Sequence, residues 1–221
     1  MAIEPKIKRI YMEIQKQLFY MIPEKWSKVY LYSSIVERPH NIQTGELYFY
    51  YVPSGILKKN PVNVYEIPTK FSIEDSQYLK LVDKLYLEIK RLRAACEEFG
   101  EGRWKSVVIS IADFKFCVEY IYEGLEEFSS YEKHIIFRYK YLEYPIESFN
   151  REEKNIIYRY MRKSNSKEID RKIYSEAMYE MPFETIKANS RNSNIQYVKE
   201  DDVRLLDKPR EIKSQILNSD F

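Results

Sequence analysis

Glycine is scarce in this chain of 221 residues, with five in all. That excludes a phosphate-cradling loop of the P-loop or dinucleotide kind, where several glycines at fixed spacing let backbone N–H groups reach the phosphates. Histidine is scarcer still: His40 in a polar turn and His134 in an expected helix both read as surface or packing residues. No C-x-x-C or H-x-x-x-H spacing offers a metal site, and no Ser stands in a G-x-S-x-G elbow. No catalytic residue, metal ligand or cofactor is therefore assigned. The two cysteines, Cys96 and Cys117, form no disulfide framework and read as reduced intracellular thiols. Long apolar runs are missing as well. The N-terminus, MAIEPKIKRIYMEIQKQLF, carries charges every few residues and lacks the apolar core of a signal peptide. No stretch approaches the roughly 20 apolar residues that span a bilayer. A cytoplasmic protein with no membrane partner is expected. Nor is there an excess of one charge: 36 Lys and Arg face 34 Asp and Glu, for a net +2. A dedicated nucleic-acid binder usually shows a clear basic excess, so no direct nucleic-acid partner is expected.

What the chain has is apolar and aromatic mass. Hydrophobic residues make up 44% and aromatic residues 15%, enough for one large domain with a buried core. Tyrosine is abundant at 21 copies, and its ring offers apolar area with a polar tip, which suits protein contacts.

Ile3, Ile7, Ile10, Ile14 and Leu18 recur at helical spacing, which predicts a helix ending before Pro23. The corner MIPEKW follows. Strands are expected over Lys28 to Val36, Glu46 to Val52 and about Val62 to Ile67, with residues 37 to 45 as a polar turn and Pro68 as a stop. Ser72 with Asp75 approximates a capping box for a long helix. Tyr78, Val82, Leu85, Ile89, Leu92, Cys96 and Phe99 form its stripe, and Gly100 is its left-handed cap. Residues 106 to 112 and 114 to 122 form a hairpin. Phe114, Phe116, Val118, Tyr120 and Tyr122 are expected on its buried face, with Glu119 and Glu123 on a mixed, partly solvated one. Two further helices are expected, from Ser130 to about Tyr141 and from Arg151 to Lys163.

Beyond Lys163 the periodicity fades. Residues 1–164 are expected as one domain and 165–221 as a partly ordered extension, with short helical possibilities near Ile173 to Met181 and Arg210 to Leu217. The element order, helix, strands, helix, hairpin, helices, gives an α+β fold with an antiparallel sheet packed by helices and a C-terminal extension.

Two charged features bear on function. Asp113-Phe114-Lys115 has the Asp-x-Lys pattern of many metal-dependent nucleases, but no upstream acidic partner stands out and Asp is a favoured turn residue. The acidic run Glu119, Glu123, Glu126, Glu127 and Glu132 is the densest in the chain. Such a run is by default a solvated face; the sharper reading is a docking surface for a basic partner.

The segment MIPEKWSKVY resembles the signature of the YezG-like antitoxin and immunity family of Gram-positive bacteria. Met21, Ile22, Pro23, Glu24, Trp26, Lys28, Val29 and Tyr30 carry the match. It continues with Trp104 and Ser106 opening the hairpin, Val118, Glu119, Tyr120 and Ile121 where the family has Phe-Asp-Tyr-Ile, and Tyr139, Lys140 and Pro145 beyond. The resemblance implies a cytoplasmic, non-enzymatic immunity protein. Its partner would be a cognate protein toxin, through the C-terminal domain, often a nuclease, of an LXG-type effector of type VII secretion. The acidic run then becomes the expected toxin-facing surface. Pro23, Trp26, Tyr30 and Trp104 become structural residues, with Trp26 expected as a buried wedge between helix and sheet. Two rivals stand beside this reading. One is a nucleic-acid-binding regulator using the KRLR segment, Lys90 to Arg93, otherwise read as an exposed helix face; the other is a small nuclease using Asp113 and Lys115.

Overall fold

Pro5 opens the first helix at the position where a missing N–H costs nothing, and α1 (Pro5–Met21) then buries Ile7, Tyr11, Ile14, Leu18 and Met21 along one stripe. The computed structural model describes residues 4–55, 60–166 and 169–177, so Ile3, the first of the expected stripe, lies outside it. After Pro23 the chain enters β1 (Trp26–Ser34), and β2 (Val36–Arg38) and β3 (Ile42–Thr44) form a small separate ribbon. The expected polar turn thus carries a strand pair of its own, with His40 at positive φ in its tip. Gly45 closes the ribbon under constraint, because a Cβ there would lie 1.9 Å from the Ser34 carbonyl oxygen.

Strands β4 (Leu47–Pro53) and β5 (Val62–Asn63) follow. The expected strand from Val62 is only two residues long, because the Asn63 side chain accepts from the Tyr65 N–H at 2.9 Å and caps a 3-10 turn over Val64–Glu66; Pro68, the expected stop, stands instead in the first turn of the short helix α2 (Ile67–Phe71). Ser72 is the left-handed C-cap of α2, and α3 (Asp75–Glu98) starts from Glu74 without a side-chain cap, so the expected box is absent. The other end of α3 is as expected. Gly100 sits at φ +77, and its N–H and that of Glu101 return to the Glu97 and Cys96 carbonyls, the paired bonds of a Schellman cap.

The hairpin comprises β6 (Ser106–Ala112) and β7 (Lys115–Ile121) around a two-residue turn with both φ angles positive, at Asp113 and Phe114. Phe114, expected on the buried face, stands 84% exposed at this tip. Helices α4 (Ser130–Lys140) and α5 (Arg151–Asn165) both start on complete capping boxes, Ser129 with Glu132 and Asn150 with Glu153. The last described strand, β8 (Arg171–Ala177), replaces the helical possibility near Ile173 as far as Ala177; Met178 to Met181 and Arg210 to Leu217 lie outside the described residues.

The main sheet has six antiparallel strands in the order β5-β4-β1-β6-β7-β8. The fold is α+β. Helices α1 and α3 cover one face, where the Tyr11 ring lies 5.3 Å from Phe116 and its hydroxyl meets that of Tyr120 at 2.7 Å. Helix α4, with α5 against it, covers the other, where Phe137 packs among Tyr32, Tyr48 and Tyr50. His134 is a packing residue, edge-on to Tyr48 and hydrogen-bonded to the Tyr50 hydroxyl at 2.8 Å.

The two tryptophans separate in role. Trp26 lies opposite Pro53, just before a register shift that sets Lys28 opposite Val52, and its ring is 4.7 Å from Phe19 of α1, but it is only partly buried. The expected buried wedge is therefore a half-open corner post, and Pro23 and Tyr30 beside it are also partly buried. Trp104 is the fully buried one, stacked on Tyr120 at 5.6 Å. Burial raises the pKa of the neighbouring Cys96 thiol, against the opposing pull of Tyr120 and Trp104, and both cysteines are free.

Candidate partner-binding site

The acidic run is not one surface. Glu119 points from β7 under α4 and is buried, contrary to its expected place on a partly solvated face. Its carboxylate accepts from Lys140 Nζ at 2.7 and 3.0 Å and from the Tyr141 hydroxyl at 2.7 Å, and pairs with Arg171 of β8 at 3.4 Å. A carboxylate so surrounded offsets its desolvation and ties three elements together. Glu132 is the capping residue of α4: it accepts from the Ser129 backbone N–H at 2.8 Å and pairs with Arg159 of α5 at 2.5 Å. Partial burial pushes its carboxyl up, but Ser129 and Arg159 outweigh that and leave its pKa below the ordinary value.

Glu123, Glu126 and Glu127 lie exposed in the connection between β7 and α4. Glu126 accepts from the Gly124 backbone N–H at 2.7 Å and pairs with Lys105, which lowers its pKa despite the opposing effect of burial. Glu127 pairs with Lys163 of α5 at 3.2 Å. These three are the members of the run that a partner could meet directly.

Glu123 and Glu126 also line a groove of about 430 Å³ at this end of the sheet. Its walls include Ile35 after β1 and Val36 at the start of β2, Arg93 of α3, Arg103 and Lys105 before β6, and Lys133 of α4. Arg93 was expected on an exposed helix face as part of KRLR, yet its side chain is only 7% exposed. Lys90 lies over the Tyr86 ring and Arg91 pairs with Glu88, so the segment does not form a continuous basic face. The heptad-like stripe of α3 could not reveal Arg93, because a position beside Leu92 reads as solvent-facing unless a second ribbon folds over it.

Asp113 and Lys115 sit at the opposite end, where Ala112 pairs with Lys115 at the hairpin tip. Asp113 is an exposed turn residue at φ 50. Among the described residues there is no group of three or more His, Cys, Asp or Glu side chains able to hold a metal ion, and no helix is long and apolar enough to cross a membrane.

An α+β scaffold with aromatic and ion-paired packing on one sheet face, and its exposed carboxylates gathered beside a charged groove, defines a protein suited to recognising another macromolecule. The chain belongs to the YezG-like immunity protein family, whose family model, "Immunity protein YezG-like", matches residues 7–157. It is similar to "Immunity protein YezG" of Bacillus spizizenii, 27% identical over 141 residues, covering 62% of this chain and 83% of that protein. It is likewise similar to "Type VII secretion system protein EsaG" of Staphylococcus aureus, 27% identical over 144 residues, covering 63% and 83%.

Proposed function

We propose that this protein is a cytoplasmic immunity protein that neutralises a cognate toxin of a type VII secretion system by binding it, without catalysis of its own. The toxin is of the LXG type and its active domain is a nuclease. The observation that carries this reading is the reach of the family match, which runs from α1 into α5 and so takes in the whole scaffold presenting the connection after β7. A relative named as a type VII secretion system protein supports the origin of the toxin. A nuclease must hold a polyanion, so its active site is basic and attracts Glu123, Glu126 and Glu127, the exposed part of the acidic run; Glu119 and Glu132 support that surface from behind. Domain 1–164 is the binding unit in this reading, with 165–221 as its extension.

The test is co-expression with the toxin encoded by the neighbouring reading frame. Protection of growth and a complex that survives gel filtration are expected; absence of both overturns the proposal. Exchanging Glu123 and Glu127 for Lys should slow association, most at low salt, while leaving the urea transition in place. An unchanged association rate removes the acidic surface from the reading. Salt-dependent nucleic-acid binding by the purified chain would favour the regulator built on Lys90 to Arg93. Metal-dependent cleavage lost in Asp113→Ala would favour the nuclease.

A further inference from the structure

A guanidinium taken out of water is costly unless it is both paired and hydrogen-bonded. Arg93 meets neither condition fully. Its Nε and Nη1 make no hydrogen bond, and Nη1 reaches Glu37 Oε1 only as a 3.4 Å ion pair. The other oxygen of that carboxylate is taken by Arg103 at 2.8 Å, so a single Glu37 lies between two arginines, while Arg103 also holds Glu97 at 3.0 Å. Both unmade donors belong to a side chain that lines the groove.

We infer that this groove receives a carboxylate carried on a segment of the protein partner, with Arg93 as its buried anchor and Arg103, Lys105 and Lys133 around the mouth. The inference rests on the reading of the chain as a binding protein and adds what the partner must present. Three features select this occupant. The unmade Arg93 donors are charged, and a carboxylate is the acceptor that meets a guanidinium N–H most strongly. Glu37, Glu123 and Glu126 line the same groove, so one negative charge is tolerated where a phosphate chain would meet repeated repulsion. Ile35, Val36 and Leu125 contribute apolar wall, which suits the stem of an Asp or Glu side chain and its flanking residues. The partner surface is therefore mixed in charge: basic where it meets Glu123 and Glu127, with an acidic residue set to enter beside them.

The experiment needs no toxin, so its failure is separable from failure of the immunity reading. The ¹⁵N-labelled full chain is titrated with a capped pentapeptide, Ala-Gly-Asp-Leu-Gly, with its Asn counterpart, and with acetate, following the Arg93 Nε–H resonance. The Asp peptide should move that resonance and the amides around the groove. The Asn peptide should bind about tenfold more weakly or worse, the size expected for losing hydrogen bonds to a charged group. Arg93→Lys should abolish the shifts of the groove amides; if that variant does not fold, Arg103→Gln with Lys133→Gln at the groove mouth should weaken the Asp peptide by about threefold through lost charge. Equal binding of Asp and Asn peptides, or no movement at Arg93, overturns the inference. Acetate binding as tightly as the Asp peptide overturns the peptide part and marks a site for free carboxylates.

Discussion

The two faces of the sheet are held by different chemistry. Under α1 and α3 the contacts are chiefly apolar and aromatic, with Ile14, Leu18, Leu85, Ile89 and Trp104 fully buried and Tyr11 and Tyr120 satisfying each other's hydroxyls. Under α4 and α5 the aromatic layer is joined to a buried ion cluster, Glu119 with Lys140, Tyr141 and Arg171. The first face depends on filled volume and the second also on that ion cluster staying paired. That second face also supports the connection carrying Glu123, Glu126 and Glu127, so its rigidity and the shape of the proposed interface are one matter.

Truncation should separate the tryptophans most sharply. Trp104→Ala should cost about 3–5 kcal/mol, the range for emptying a fully packed aromatic site, whereas the half-open Trp26→Ala should cost about 1–2 kcal/mol. Urea unfolding measures both, and equal losses would erase the distinction between core and corner. On the other face, Glu119→Ala should cost about 3 kcal/mol because it leaves the Lys140 charge unpaired beneath α4. A Lys140→Met change added to it should recover part of that loss, and a double variant no better than the single would show that packing, not pairing, holds this face.

A chain ending at residue 166 should keep a cooperative transition at a lower urea midpoint. Removing β8 takes away Arg171 and the Tyr174 hydroxyl, which donates to Glu101 at 2.6 Å, but leaves both helical layers. Loss of the transition altogether would make β8 part of the core. The hairpin tip should respond in the other direction: Phe114→Gly should stabilise by about 1 kcal/mol, since an exposed Phe at φ 59 carries the left-handed penalty.

The smallest effect concerns pH. Burial raises the Asp83 carboxyl from its ordinary 3.8 to about 6. Its folded pKa is the higher one, so the penalty for its charge is absent below about pH 4, grows as pH rises through 6, and is complete at pH 7. Asp83→Asn should therefore stabilise at pH 7 by about 1 kcal/mol, a figure reduced for the solvent-exposed part of the group, and confer no gain at pH 4. Glu101, Glu126 and Glu132 carry the opposite sign. Their lowered pKa values stabilise at neutral pH, and that contribution fades as acid protonates them.

Residue spacing determined α1, α3 and the strands of the hairpin, because a stripe at i, i+3, i+4 or an alternation at i, i+2 is a local record of which face meets the core. Gly100 was legible for the same reason: a left-handed cap is a local demand. The two capping boxes were also written locally, in Ser129 with Glu132 and Asn150 with Glu153, and an N-cap residue followed three positions on by Glu was the signal that could have found them. What lay beyond reach depended on partners distant in the chain. Glu119 reads as a solvated acid until Lys140 and Arg171 arrive from two other elements. Arg93 reads as a helix-surface cation until Glu37 of the ribbon closes over it. Burial of a charge is decided by what surrounds it in space, and sequence spacing carries no record of that until the sheet has brought β7, α4 and β8 together.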